Sequence, residues 1–160
     1  MKQLSVRLQV NQTWIEREVP VEQSLLLFLR ETLHLTSVKC GCNAGECGAC
    51  MVLLDNLPVN SCLVLAAECD GKQIQTLEGL NATPAMQALQ KAFLSEGAVQ
   101  CGFCTPGMLI SSYALIYNHP APTEDEIKLA LSGNLCRCTG YQSIVRAVQS
   151  AAAQLREVHA

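Results

Sequence analysis

Ten cysteines in 160 residues set the chemistry open to this chain, and eight of them fall into two sets with different spacing. The first reads Cys42-x4-Cys47-x2-Cys50 and then Cys62, inside and just after the glycine-rich run Cys40-Gly41-Cys42-Asn43-Ala44-Gly45-Glu46-Cys47-Gly48-Ala49-Cys50. The second is split into two tight pairs, Cys101-x2-Cys104 and Cys136-x-Cys138, with 31 residues between the pairs. Two sets of four thiols with different geometry point to two metal centres in one small protein. A chain with two thiolate-held centres most often moves electrons.

An iron–sulfur cluster needs four thiolates and backbone N–H groups turned toward its sulfurs, because those hydrogen bonds neutralise charge and tune the potential. Turning consecutive amides inward needs a relaxed backbone, which Gly41, Gly45 and Gly48 supply. The spacing C-x4-C-x2-C with a distant fourth cysteine is that of plant-type [2Fe–2S] centres. Cys62 is the first choice for that fourth ligand, because it follows a turn signal at Asp55-Asn56 and could return to the loop; Cys69 competes for the role. Cys40 and Cys69 otherwise read as non-ligands, burial as a small apolar side chain being the commonest fate of a spare cysteine.

In the second set each pair precedes a helix-start signal, Thr105-Pro106 after Cys104 and Thr139 after Cys138. Thiolates placed at helix N-termini are stabilised by the dipole and the free N–H groups. That placement alone does not separate iron–sulfur from zinc, since paired C-x-x-C motifs also build four-cysteine zinc sites. The C-x-C pair, the x4 spacing and the glycine-rich loop fit zinc poorly. A nucleophilic thiol is a weaker reading still: His34, His119 and His159 fall in no motif.

The elements that must position these thiols change character halfway along the chain. Leu4-Val6-Leu8-Val10 alternates strictly, and Asn11-Gln12 is a two-residue turn before Trp14–Val19, which predicts a β-hairpin. Ser24 caps a short helix carrying Leu25, Leu26, Phe28 and Leu29 and ending near His34. Met51–Leu54, Asp55-Asn56 and Leu57–Val59 read as strand, turn, strand, and Gln73–Leu77 as a last strand. Beyond Glu78-Gly79-Leu80-Asn81, where a domain boundary is expected, the period becomes helical. Thr83-Pro84 and Thr105-Pro106 each pair an N-cap with a proline, and Thr123-x-x-Glu126 and Thr139-x-x-Gln142 are capping boxes. Gly133-Asn134 stops the third of the four helices. The prediction is an α+β chain with a sheet domain over residues 1–79 and a four-helix bundle over 80–160.

Composition is that of a globular protein, 49% hydrophobic and 16% charged, and a net charge of −3 gives no reason to expect nucleic acid or an anionic membrane as partner. The first residues carry no apolar signal core and no twin arginine, and the run Leu25–Leu29 is far too short to span a bilayer. A cytoplasmic location is therefore expected, where disulfides are disfavoured and dense cysteine means metal or redox chemistry. No GxGxxG loop, paired catalytic carboxylates or basic pocket accompanies the thiols, as befits an electron carrier.

Three motifs then resemble a known family. Ser37-Val38-Lys39-x-Gly41-Cys42-x-x-Gly45-Glu46-Cys47-Gly48-Ala49-Cys50, Val99-Gln100-Cys101-Gly102-Phe103-Cys104-Thr105-Pro106-Gly107-Met108 and Gly133-Asn134-Leu135-Cys136-Arg137-Cys138-Thr139-Gly140-Tyr141 are similar to the small iron–sulfur subunit of molybdenum hydroxylases. Xanthine dehydrogenase, aldehyde oxidoreductase, carbon monoxide dehydrogenase, nicotinate dehydrogenase and hydroxybenzoyl-CoA reductase belong to this family, and the resemblance spans nearly the whole chain. It implies a plant-ferredoxin-like β-grasp domain followed by a four-helix bundle, each with one [2Fe–2S] cluster. By that resemblance Cys42, Cys47, Cys50 and Cys62 hold the cluster nearer the flavin, which supports Cys62 over Cys69. Cys101, Cys104, Cys136 and Cys138 hold the one nearer the molybdopterin, and Gln100 and Cys138 match positions that touch the pterin. The family usually has another residue at the place of Cys40. The implied role is a relay from molybdopterin on a large subunit to FAD on a medium subunit, with xanthine dehydrogenase-type chemistry foremost and aldehyde, nicotinate or aromatic acyl-CoA oxidation as alternatives. From a different class, a zinc-stabilised adaptor is the competing reading.

Overall fold

The structure, a computed structural model, describes residues 2–159. Met1 and Ala160, the outermost residues of the two expected domains, lie outside the described residues.

Strand β1 (Gln3–Val10) pairs antiparallel with β2 (Thr13–Pro20), Val10 opposite Thr13. The turn residues Asn11 and Gln12 take φ of 48° and 70°, the left-handed pair whose twist matches a two-residue hairpin. Alternation places Val6, Leu8 and Val10 inside. Helix α1 (Leu25–Leu27) starts at Ser24, whose hydroxyl accepts the Leu27 N–H at 3.3 Å, and runs on through a wider turn, Phe28–Thr32. It buries Leu25, Leu26, Phe28 and Leu29, and His34 at φ 57° turns the chain away.

After the cysteine-rich loop, β3 (Met51–Leu54) and β4 (Leu57–Asn60) form a second hairpin, and β5 (Gln73–Gln75) runs parallel to β1 and antiparallel to β3. The resulting mixed sheet has the order β2-β1-β5-β3-β4. Its last strand is shorter than the sequence predicts, and Leu77 opens a one-turn helix, α2 (Leu77–Leu80), instead of closing a strand. The physical reason is Asn11: its Oδ1 accepts the Thr76 N–H at 2.9 Å and its Nδ2 donates to Thr76 Oγ1 at 3.0 Å. That takes the Thr76 N–H out of the sheet ladder.

Four longer helices follow: α3 (Pro84–Ser95), α4 (Thr105–Asn118), α5 (Glu124–Ala130) and α6 (Gln142–His159). Helix α3 packs on α4 and α6, and α5 packs on the same two. Thr83 accepts the Met86 N–H at 3.3 Å, and the Thr123–Glu126 capping box is complete. The other two expected caps differ. Thr105 is the first residue of α4, with Cys104 in the cap position and no side-chain cap. Helix α6 begins at Gln142, and the Thr139 hydroxyl oxygen accepts the Tyr141 N–H at 3.3 Å, ahead of the helix, while its O–H donates to the Cys136 thiol.

Among the described residues there are two apolar cores. One lies under the sheet around Leu8, Phe28, Leu29, Val52 and Ile74, the other among the helices around Met86, Phe93, Met108, Ile127 and Ile144. Leu53 of β3 joins the helical core, because α4 packs against β3 and β4. No helix among the described residues is long and apolar enough to cross a membrane.

Glu78 ties the link between the halves back to the segment that leads into the cysteine loop. Its carboxylate accepts the Ser37 N–H at 2.9 Å, the Ser37 hydroxyl at 2.5 Å and the Thr76 hydroxyl at 2.5 Å. Burial pushes its pKa up, but these hydrogen bonds to the charged form outweigh it and hold the carboxyl below its ordinary 4.5. A depressed carboxylate stabilises the fold above its unfolded-state pKa and loses that contribution as pH falls through the folded-state value. Urea unfolding of the wild type and of Glu78→Gln is therefore expected to differ most near about pH 6 and to converge as the pH falls through the folded-state value. A gap that widens on acidification would overturn this account.

Candidate metal centres

The loop between α1 and β3 is held open by hydrogen bonds to sulfur rather than by regular structure. The N–H groups of Ala44 and Glu46 donate to Cys42 Sγ, both at 3.3 Å, and the Cys42 N–H donates to Cys47 Sγ at 3.4 Å. Asn43, Gly45 and Gly48 take positive φ, which turns these amides inward. Gly41 serves differently: a Cβ there would lie 2.6 Å from Cys47 Sγ, so the position needs room rather than freedom. Asn60, at the end of β4, donates to the Gly45 carbonyl at 2.8 Å and pins the loop to the sheet.

The first quartet comes together on this frame. Cys42 meets Cys47, the Cys62 thiol meets Cys50, and the Gly45 N–H faces Cys62. Cys69 is elsewhere: it is buried in the sheet core, its thiol directed to the Leu65 carbonyl at 3.6 Å. Cys40 is exposed and makes none of these contacts.

The second quartet forms two touching pairs. Cys101 and Cys138 lie sulfur to sulfur at 3.5 Å, and Cys104 meets Cys136. The Phe103 N–H points at Cys101, and Cys136 Sγ receives the Thr139 hydroxyl at 3.0 Å and the Thr139 N–H at 3.5 Å. Cys136's own N–H donates to the Tyr141 hydroxyl at 2.9 Å. Gln100, Cys101 and Cys138 are all exposed, so one edge of this quartet faces outward.

The thiols divide electrostatically. The Ala44, Cys47 and Glu46 amides pull Cys42 down to about 7, and the Phe103 amide lowers Cys101. Burial pushes Cys62 up to about 11 and Cys104 up to about 12. Without a cation those inner thiols keep their protons, so assembling a thiolate-held centre releases protons. The donor set is all sulfur, with amide donors converging on it, which is what an anionic iron–sulfur cluster requires. Among the described residues no group of three His, Cys, Asp or Glu is arranged to hold a single metal ion.

The two loops meet. The Leu135 N–H donates to the Cys47 carbonyl at 2.9 Å, and Phe103, between Cys101 and Cys104, packs over Gly41. Asn134 donates to the Gly48 carbonyl at 3.1 Å. Sequence reasoning missed Asn134, Tyr141 and Thr139 in these roles. Thr139, placed directly after the C-x-C pair, was open to reading as a thiol partner; the other two carried no local signal.

Comparison with known proteins agrees with this geometry. Residues 8–82 match the model of a 2Fe-2S iron-sulfur cluster binding domain, and residues 76–149 that of a [2Fe-2S] binding domain, which favours iron–sulfur over zinc. The chain is 46% identical to the nicotinate dehydrogenase small FeS subunit of Eubacterium barkeri, over 94% of this chain and 96% of that one. It is 50% identical to the nicotine 6-hydroxylase small subunit of Paenarthrobacter nicotinovorans, over 86% of this chain and 82% of that one. The crystal structure of quinoline 2-oxidoreductase from Pseudomonas putida 86 contains a chain that superposes with a TM-score of 0.91 at 39% identity, covering 98% of both. The chain belongs to the family of small iron–sulfur subunits of molybdenum hydroxylases.

Proposed function

We propose that the chain relays electrons from molybdopterin on a large subunit to FAD on a medium subunit, in a complex that oxidises its substrate at molybdenum. Cys101, Cys104, Cys136 and Cys138 hold the cluster nearer the pterin, and Cys42, Cys47, Cys50 and Cys62 the one nearer the flavin. A bound [2Fe–2S] cluster supplies a one-electron redox centre. The residues supply the rest: thiolates fix each centre, the Ala44, Glu46 and Phe103 amides and the Thr139 hydroxyl stabilise charge on sulfur, and the meeting loops keep the centres close. Gln100 and Cys138, exposed at one edge, present the second centre to the pterin without owning it.

Residues 1–79 make a β-grasp domain, supported by the sheet order β2-β1-β5-β3-β4, and residues 80–160 a four-helix bundle, supported by the mutual packing of α3, α4, α5 and α6. Nicotinate, nicotine and quinoline, the compounds named for the relatives, are nitrogen heteroaromatics. The substrate of the complex is accordingly a nitrogen heteroaromatic ring, the purines of xanthine dehydrogenase-type enzymes included, and the complex works in the cytoplasm.

The observation that carries the proposal is the presence of two thiol quartets, one seated on the sheet core through Cys50 and Cys62 and the other on the helical core through Cys104 and Cys136, with their loops in direct contact. Purified protein is expected to contain about four iron and four acid-labile sulfides per chain with no zinc, and to bring two larger chains with it. About two zinc and no iron would instead establish the adaptor reading.

A further inference from the structure

We propose that Asn134 is the positioning residue that fixes the separation of the two thiol quartets, by clamping the loop of the first to the strand of chain that carries the second. The proposal rests on both quartets being cluster ligands, as proposed above.

Asn134 lies two residues before Cys136 and is 2% exposed. Its Nδ2 donates to the carbonyl of Gly48, the residue after Cys47, at 3.1 Å, and its Oδ1 accepts the hydroxyl of buried Ser111 of α4 at 2.7 Å. The Gly48 carbonyl can only accept, so the amide nitrogen must face it, and Ser111 then has the oxygen to donate to. No other side chain of this size offers a donor and an acceptor at those two places. The second lone pair of the Gly48 carbonyl is taken by the Met51 N–H at 3.2 Å, so the carbonyl is fully engaged. One buried amide thus joins three pieces of chain: the first thiol loop, helix α4 behind Cys104, and the approach to Cys136. The Leu135 N–H to Cys47 carbonyl bond beside it is held in register by the same clamp.

The surroundings leave little freedom. A Cβ at Gly48 would meet the Gly133 carbonyl and lie 2.5 Å from Asn134 Nδ2, and one at Gly107 would meet the Gly48 carbonyl. Backbones approach this closely only where side chains are absent, and the amide then seals the gap. Loss of the amide takes the Ser111 hydroxyl's acceptor and leaves the Gly48 carbonyl with the Met51 N–H of its own segment alone, which removes the side-chain tie between the two loops.

The test uses full-length Asn134→Leu, which removes both hydrogen bonds, and Ser111→Ala, which keeps Asn134 but removes its orienting partner. Three quantities are read: iron and sulfide content, hydrogen exchange by mass spectrometry, and the low-temperature magnetic splitting between the two reduced clusters in electron paramagnetic resonance. Asn134→Leu is expected to keep both clusters while exchange in segments 41–50 and 131–138 quickens roughly tenfold or more. Its splitting is expected to become smaller and broader, a change that mere loss of stability would not produce in a protein still holding both clusters. Ser111→Ala is expected to shift both readouts in the same direction by less. Wild-type splitting and wild-type exchange in those segments in both variants would overturn the proposal. Wild-type protein without iron would overturn the ligand assignment instead, and the exchange comparison would still decide whether Asn134 clamps the loops.

Discussion

Gly48→Ala is expected to cost about 2–5 kcal/mol of stability, combining about 1–2 for a left-handed L-residue with about 1–3 for overpacking. Both contributions are visible in the structure. Gly48 has φ +67°, and a Cβ there would meet the Gly133 carbonyl, a backbone atom with no rotamer to yield. Gly107→Ala isolates the second contribution. Gly107 sits in the first turn of α4 without a positive φ, so alanine would favour the helix by about 1 kcal/mol on propensity alone. Yet its Cβ would meet the Gly48 carbonyl, and the sign of the change is expected to reverse. Gly133→Ala is the control, because nothing lies within 4 Å of its Cβ and its φ is not positive. Denaturant midpoints should rank Gly133→Ala above Gly107→Ala and Gly48→Ala lowest. A Gly107→Ala protein more stable than the wild type would mean that the sheet and helical parts do not meet at this crossing.

The same crossing marks where sequence stopped being informative. The hairpins were legible because alternation of Leu4, Val6, Leu8 and Val10 is a period-2 pattern, and turn residues such as Asn11 and Asp55 announce their own φ. The thiol sets were legible because ligands in each tight motif are near neighbours in the chain. Asn134 was not: its partner Gly48 is 86 residues away, and locally it reads only as a helix stop. Thr139 misled for a related reason. A threonine three residues before a glutamine satisfies a capping-box pattern, but the Thr139 oxygen accepts the Tyr141 N–H at 3.3 Å, closing a local turn, while its O–H donates to the Cys136 thiol at 3.0 Å. Leu77 was read as the end of the last strand, Gln73–Leu77; the side chain of Asn11, 65 residues before Thr76, ends that strand earlier. Local periodicity reports elements, whereas joints between them depend on single polar atoms that leave no periodic trace.

Cys104→Ser is expected to abolish one of the two electron paramagnetic resonance signals and to lower iron from about four to about two per chain. Cys104 occupies the cap position of α4 and meets Cys136, so its sulfur belongs with the helical quartet and touches none of the sheet thiols. A serine hydroxyl is a harder and far less acidic ligand than a thiol, and the buried setting that pushes Cys104 up to about 12 disfavours an alkoxide more strongly still. The remaining signal should keep its g values and lose only the splitting that its neighbour imposes, because Cys50 and Cys62 are seated on a separate core. Cys62→Ser is expected to remove the other signal by the same logic. Cys69→Ser is the discriminating partner: its thiol lies in the sheet core, facing the Leu65 carbonyl, so substitution should leave both signals and cost about 1–3 kcal/mol through a buried hydroxyl. Loss of the sheet-domain signal in Cys69→Ser, with retention in Cys62→Ser, would exchange the fourth ligand. Equal loss of both signals in Cys104→Ser would show instead that the two centres assemble as one unit across the Gly48–Asn134 joint.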